Sequence, residues 1–196
     1  MAVDMIEHKE APLPIYTEGG HPLMDRWLEP ENLNALLDAS ASPVERAKSA
    51  TAIVQADGRL YGDFLQAATH GKIVHVELSQ LMAMNLHVTA LQASLFDQAT
   101  AATGKTLPPE LLTQIGQFYV ALYNEVVVAC TQRSGFSMGD RSIVLNSAAF
   151  YYAKVDSFID ADSRAQLHQK FQGLRDEAKL PGDVRNLDKL LAATNH

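Results

Sequence analysis

The sequence predicts an all-α protein, a helical bundle of six to eight helices around a central antiparallel pair at about 72–102 and 109–133. Three observations support this prediction. Prolines and capping residues precede most apolar segments and glycines follow them, which is typical of helices. Two long segments are apolar around most of the helical circumference, as central helices are. Short β-branched clusters occur at 126–128 and 143–145, but neither extends into the alternating pattern that marks a strand.

The N-terminal segment predicts a flexible arm. Prolines and glycines interrupt any helix within residues 1–22, and the segment has no sustained apolar period. Residues 23–196 have the length and composition of a single helical domain, because one core usually serves about 100–200 residues. Ile15 and Tyr16 in the arm, and Trp27 just after it, are the candidate residues for contact with a partner protein.

The first helices are predicted from their caps. Pro30 stands at the start of a segment at 31–39. Ser42 and Glu45 form a capping box with Pro43 at the first helical position, so a second helix is expected from 43 to 56. Gly58 is expected to end it, and a short third helix at 60–69 is expected to end at Gly71.

The central pair is predicted from its punctuation and its apolar content. Gly104 is expected to end the helix at 72–102, and Pro109 to open the helix at 109–133, which Gly135 closes. Both segments carry polar residues among their apolar ones, and Gly116 allows either a close approach of another segment or a gap.

Three more helices are expected after the central pair. The first spans 142–159, and Asp160 or Asp162 caps the second, which ends before Pro181. Asp183 is expected to cap the last, short helix.

The stretch Gly135-Phe-Ser-Met-Gly139 matches the G-x-S-x-G pattern of a serine-hydrolase nucleophile elbow. That elbow requires a strand that runs directly into the first glycine, whereas a polar, helix-like segment precedes Gly135 here. We therefore predict that Ser137 or Asp140 caps the next helix. The hydrolase alternative would combine Ser137 with His168 and with Asp162 or Asp156.

The pattern at 99–106 resembles a relaxed phosphate-binding loop, but a helix leads into it and prolines follow it. Gly104 as a helix terminator explains the pattern better. His70, His75 and Glu77 are metal candidates, although they lack the i, i+3 or i, i+4 spacing with which one helix chelates a metal. We predict no metal and no cofactor.

A pocket for a small molecule is the alternative that the central pair suggests. Buried polar groups need partners, which are other side chains, water or a ligand. The candidate ligand-binding residues on these two helices are Asn85, His87, Gln117, Tyr119 and Asn124.

The charge of the chain indicates which classes of partner are not expected, and its cysteine content indicates the expected location. The net charge is −7, and residues 1–58 hold ten acidic and four basic side chains. A chain with an acidic first third and no basic stripe is not typical of nucleic-acid-binding proteins. Its single cysteine, Cys130, is expected to be buried and inert, and neither a signal segment nor a membrane span is predicted, so a cytoplasmic location is expected.

These observations predict a non-catalytic helical protein that acts by protein–protein interaction, of a regulatory, accessory or inhibitor type. The partner is another protein, with a second copy of the chain as one form of it. The alternatives are a small-molecule-binding module and a serine hydrolase that uses Ser137.

Overall fold

The computed structural model describes residues 38, 40–69, 75–131 and 134–195. Within them the chain forms six α-helices, one 3-10 turn and no strand, which confirms the all-α bundle. The helices are listed here in chain order: α1 Pro43–Thr69, α2 His75–Thr103, α3 Pro109–Cys130, α4 Met138–Val155, the 3-10 turn Asp156–Phe158, α5 Ala161–Glu177 and α6 Pro181–Ala193. The segments at 1–22 and 31–37 lie outside the described residues.

The helix α1 packs against α2, α2 packs against α4, and α4 packs against α6. The helix α3 packs against α4, α5 and the 3-10 turn, and α5 packs against α6. The helix α2 is central, but its most extensive contacts are with α1 and α4. Its contact with α3, the other member of the expected central pair, is smaller.

Two contacts fix the direction of α2 relative to α4. Ser79 bonds to Asp140 near the start of both helices, and His87 bonds to Tyr151 further along both. Residue numbers therefore rise together in the two helices, which lie side by side in parallel. The helix α3 connects α2 to α4 in the sequence and runs antiparallel to α4. This direction follows from two contacts, Tyr123 with Tyr152 and Cys130 with Arg141.

The prediction of separate helices at 43–56 and 60–69 is wrong, because α1 continues through Gly58. A glycine within a helix costs only about 1 kcal/mol relative to alanine. The extensive contact between α1 and α2 outweighs that cost. Gly58 is exposed, and no atom lies near the position of a side-chain methyl.

Gly58→Ala is therefore expected to raise the free energy of unfolding by about 0.5–1 kcal/mol, because alanine favours helix and restricts the unfolded chain. The urea midpoint in circular dichroism measures the change. Gly104→Ala is the matched control. Gly104 has a φ of 65° at the end of α2, where alanine is strained, so this variant is expected to lose stability. A loss of stability in Gly58→Ala would contradict the interpretation of Gly58.

Other helix boundaries follow from their caps. The expected end of α2 at Gly104 and the expected opening of α3 by Pro109 are confirmed. The helix α3 ends at Cys130, before Gly135. The helix α4 starts at Met138, four residues earlier than predicted, because the capping box begins at Ser137.

The last two helices begin at different kinds of cap. Asp160 caps α5, where its carboxylate accepts a hydrogen bond from the backbone N–H of Ser163 at 2.8 Å, as predicted. The helix α6 starts at Pro181, and Asp183 does not cap it. The Asp183 carboxylate instead accepts a 2.6 Å hydrogen bond from Ser142 and so connects α6 to α4.

The core contains an aromatic cluster between α3, α4 and α5. The rings of Tyr123 and Tyr152 are 5.0 Å apart, and the Phe171 ring lies 6.4 Å from each of them, all in edge-to-face geometry. All three side chains are fully buried. This cluster packs α3, α4 and α5 against one another.

Candidate functional site

Ser137 is the N-cap of α4. Its hydroxyl oxygen accepts a hydrogen bond from the backbone N–H of Asp140 at 3.1 Å and donates to the Asp140 carboxylate at 2.6 Å. The same carboxylate accepts from the backbone N–H of Ser137 at 3.1 Å, which completes a capping box. The prediction that Ser137 or Asp140 caps this helix is confirmed.

The structure does not bring Ser137 to the other proposed triad residues. The hydroxyl of Ser137 bonds to Asp140, whereas the His168 ring on α5 lies 2.9 Å from the Thr194 hydroxyl at the end of α6. Asp162 is exposed in the first turn of α5. Asp156 pairs with Arg164 at 2.9 Å. A serine whose hydroxyl donates to a capping carboxylate has a structural role, and neither of the two described imidazole rings, His87 and His168, bonds to it.

The Asp140 carboxylate also serves the packing of α2 on α4. Asp140 is buried, and its second oxygen accepts a 3.2 Å hydrogen bond from the Ser79 hydroxyl on α2. A buried carboxylate is tolerated when hydrogen bonds satisfy its oxygens. Three donors satisfy Asp140, so this polar group is a structural link between two helices.

A second polar network lies between α1, α2 and α3. The Gln92 side chain donates to the Thr51 hydroxyl at 2.9 Å and accepts from the Tyr119 hydroxyl at 3.3 Å. A shallow pocket of about 180 Å³ lies beside it, and Phe118 and Ile115 line part of it. Of the five predicted ligand-binding residues, Tyr119 alone lines this pocket, and its hydroxyl already has a partner.

The other four predicted ligand-binding residues lie apart from that pocket. Asn85 is buried and accepts from the Thr89 hydroxyl at 3.1 Å. Asn124 accepts a 2.5 Å hydrogen bond from Lys170, and Gln117 is exposed on α3. His87 is exposed on α2. His87 is therefore not one of the buried polar groups that suggested a pocket, because it lies at the narrow solvent-facing edge of an otherwise buried helix.

The metal candidates are not tested by the structure. His70 lies outside the described residues, and so do the side chains of His75 and Glu77. Among the side chains that the structure does describe, no group of three or more histidine, cysteine or acidic residues could hold a metal ion. The predicted partner contacts Ile15, Tyr16 and Trp27 also lie outside the described part of the chain.

A larger pocket lies where the ends of four helices meet, and we call it the four-helix pocket. Its volume is about 280 Å³, and it is formed by the end of α3, the start of α4, the end of α5 and the start of α6. Its apolar wall includes Cys130, Leu145, Leu174 and Leu187. The sequence does not reveal this pocket, because its walls come from segments far apart in the chain.

The rim of the four-helix pocket is charged. Arg141 and Lys179 contribute positive charges, and Glu177 and Asp183 contribute negative ones. Asp183 is bonded to Ser142, as described above. The Nε atom of Arg141 donates to the carbonyl of Ser137 at 3.4 Å, and no described residue accepts from its terminal nitrogens.

Cys130 is buried at the wall of this pocket, with 8% of its surface exposed. Burial, and to a lesser extent the Asp183 carboxylate, raise the pKa of its thiol to about 12, although the nearby Arg141 guanidinium acts in the opposite direction. The thiolate is the reactive form of cysteine. The native protein is thus expected to react slowly with alkylating agents.

At pH 8 the thiolate fraction of native Cys130 should be about a thousandfold below that of the unfolded chain, so we expect iodoacetamide to label the native protein at least a hundredfold more slowly. Because the folded-state pKa is the higher one, Cys130 also weakens folding once the pH rises above the unfolded value near 9. The labelling rates of the native protein and of the protein unfolded in urea are compared by mass spectrometry. Equal rates in the two states would contradict the prediction and show that the native thiol is accessible.

A surface at the junction of α2 and α4 carries large apolar side chains. We call it the α2–α4 surface, formed by His87, Ile143, Phe150 and Tyr151. Phe150 is 76% exposed and Ile143 is 44% exposed. The two are seven residues apart on α4, which places them on the same face of the helix at about 100° per residue.

The aromatic rings of the α2–α4 surface contact one another and His87. The Tyr151 hydroxyl and Nδ1 of His87 are 2.7 Å apart, and the two rings lie 5.0 Å apart. The Phe150 ring contacts the Tyr151 ring at 4.9 Å. The run Phe150-Tyr151-Tyr152 is the sequence signal that could have indicated this site, because consecutive side chains point about 100° apart and only a helix covered on all sides can bury all three.

None of the described helices is long and apolar enough to cross a membrane. Comparisons with protein-family models, with curated proteins and with solved structures give no match for this chain. Its own residues are therefore the basis for a functional proposal.

Proposed function

We propose that the chain acts without catalysis, by binding another protein at the α2–α4 surface. The observation that carries this proposal is the exposure of Phe150, which presents 76% of its surface to solvent on a helix whose opposite side is packed in the core. Burying one aromatic side chain removes a large apolar area from water. Exposed aromatic residues that cluster with other apolar ones mark interaction sites.

The charge of this surface supports the proposal. The exposed residues of α4 from Ile143 onward are Ile143, Asn146, Phe150, Ala153 and Lys154. None of these is acidic, although the chain has a net charge of −7. Depletion of charge around exposed aromatic residues distinguishes the centre of a protein interface from the remaining surface.

The surface is also organised in advance of binding. Tyr151 is fixed by its contact with His87, and its ring supports the ring of Phe150. A side chain that is already held in one position loses less conformational entropy on binding. The arrangement thus favours a docking site with Phe150 as its central anchor.

The partner that fits this surface is an apolar protein segment with an acidic residue placed to meet Lys154. The amphipathic face of a helix has this chemistry, because it can lie along the junction of α2 and α4. Such binding suits a regulatory or accessory protein. A second copy of the chain would offer Phe150 and Ile143 in return, so self-association is one form of the same proposal.

The test places a photo-crosslinking amino acid at position 150 in the full chain and, in a second protein, at position 128. Val128 on α3 is 65% exposed and provides a matched apolar control. We expect a discrete crosslinked product in the host cell from position 150 and none from position 128. Mass spectrometry of that product identifies the partner.

The affinity of the identified partner, or of the dimer, is then measured for Phe150→Glu and Val128→Glu. We expect Phe150→Glu to weaken binding at least about thirtyfold, because a buried hot-spot residue contributes about 2 kcal/mol or more, while Val128→Glu binds as the parent does. Circular dichroism verifies that both variants are folded. Equal binding by the Phe150→Glu variant, or crosslinking from position 128 alone, would overturn the proposal.

A further inference from the structure

We propose that the four-helix pocket binds a free α-amino acid with an apolar side chain. The pocket combines an apolar wall with a rim that carries charges of both signs. Its volume of about 280 Å³ lies just below the range of about 300–1,000 Å³ that is typical of pockets for drug-sized molecules. The ligand therefore has to be small.

The rim determines the charge of the ligand. Arg141 and Lys179 balance Glu177 and Asp183, so the rim has no net charge while the whole chain carries −7. A simple anion would meet two attractive and two repulsive groups, and so would a simple cation. A zwitterion can place each of its charges next to a group of opposite sign, so electrostatic complementarity favours it.

Three rim groups are available for such a ligand. The terminal nitrogens of Arg141 have no acceptor among the described residues and form a fork that suits a carboxylate. Lys179 and Glu177 are both exposed and have no ion-pair partner in the described part of the chain. Arg141 and Lys179 would bind the ligand carboxylate, and Glu177 would bind its ammonium group.

The wall below the rim receives the side chain of the ligand. Leu145, Leu174 and Leu187 are buried residues from three different helices, and Cys130 lies beside them. Transfer of an aliphatic side chain from water to this wall is favourable because it removes apolar surface from solvent. Leucine has a side chain of this kind and both charges at its other end.

The test titrates the full chain with leucine and with two compounds that keep its carbon skeleton, 4-methylpentanoate without the amine and 3-methylbutylamine without the carboxylate. Backbone amide shifts in nuclear magnetic resonance report the site. We expect saturable shifts with leucine at Arg141, Lys179 and Asp183, and at least tenfold weaker binding of each analogue.

Two neutral variants identify the charged contacts. Arg141→Gln and Glu177→Gln are expected to weaken leucine binding at least tenfold each, while Lys105→Gln and Glu110→Gln, which change exposed charges away from the pocket, leave it unchanged. If Arg141→Gln does not fold, Lys179→Gln replaces it, because Lys179 is exposed between two helices.

Three outcomes would overturn the proposal. The first is the absence of saturable shifts with leucine at about 10 mM, a concentration that would largely saturate even a weak site with a dissociation constant of about 1 mM. The second is equal binding of leucine and 4-methylpentanoate, which would assign the pocket to simple carboxylates. The third is a set of shifts centred outside the four-helix pocket. None of these outcomes bears on the α2–α4 surface, which is tested separately.

Discussion

Replacing Gly116 by alanine is expected to lower the free energy of unfolding by about 2 kcal/mol or more. Gly116 is buried in α3, and a methyl group on its Cα would overlap the backbone carbonyl of Phe158. The higher helix propensity of alanine raises the free energy of unfolding by about 1 kcal/mol and so offsets part of this loss. The overlap is expected to dominate, because its cost falls on backbone atoms that cannot rotate away.

The 3-10 turn that carries Phe158 is firmly attached. Arg164 pairs with the Asp156 carboxylate and donates to the backbone carbonyls of Asp156 and Ile159. The Phe158 ring contacts Tyr119 at 5.6 Å and Phe96 at 6.3 Å. Moving the turn to admit a methyl group would disturb these contacts as well.

Urea unfolding followed by circular dichroism measures the effect of Gly116→Ala. Thermal unfolding provides a second measurement, because in a chain of this size each kcal/mol lost in the free energy of unfolding lowers Tm by about 2–4 °C. Gly58→Ala is the matched control, because it makes the same chemical change in an exposed helical glycine and is expected to stabilise. If Gly116→Ala is as stable as the parent protein, the close approach of the turn to α3 is wrong.

Phe171→Ala is expected to lower the free energy of unfolding by about 3–5 kcal/mol, as the removal of a fully buried ring usually does. Phe171 contacts both Tyr123 and Tyr152, so its loss leaves a cavity where α3, α4 and α5 meet. Since domains of this kind are stable by about 5–15 kcal/mol, this change consumes a large share of the total.

The comparison with Phe171→Leu separates the cavity from the loss of hydrophobicity. Leucine fills more of the space, and we expect a cost of about 1–2 kcal/mol for it. Near-ultraviolet circular dichroism should report weaker tyrosine signals in Phe171→Ala, because Tyr123 and Tyr152 lose a neighbour that fixes their rings. A cost below about 1 kcal/mol for alanine would show that the three rings do not form a single packed unit.

The parts of the fold that depend on local chemistry were predictable from the sequence. The caps at Ser137 and Asp160 and the end of α2 at Gly104 arise from residues within four positions of one another. Gly58 misled the prediction because a local helix breaker says nothing about the neighbouring helix that holds α1 continuous. Tertiary packing overrides a local cost of about 1 kcal/mol.

The candidate sites were much less predictable. Arg141 and Lys179 stand on one rim although 38 positions separate them, and no local pattern connects them. The polar residues that suggested a ligand, such as Asn85 and Tyr119, proved to bond to neighbouring side chains. A sequence reveals that a polar group sits among apolar ones, but the fold determines whether its partner is a neighbouring side chain or a ligand.

The parallel arrangement of α2 and α4 has a consequence for the order of folding. Their contacts join residues 61 and 64 positions apart, whereas the neighbouring helices α5 and α6 meet through a short turn. Closing a long loop costs entropy before its contacts offset that cost, so we expect pairs of adjacent helices to form early and the α2–α4 junction to form late. The proposed docking surface around Phe150 is therefore expected only on a chain that has folded through Val155. A partner that binds there would distinguish finished molecules from nascent or partly unfolded ones.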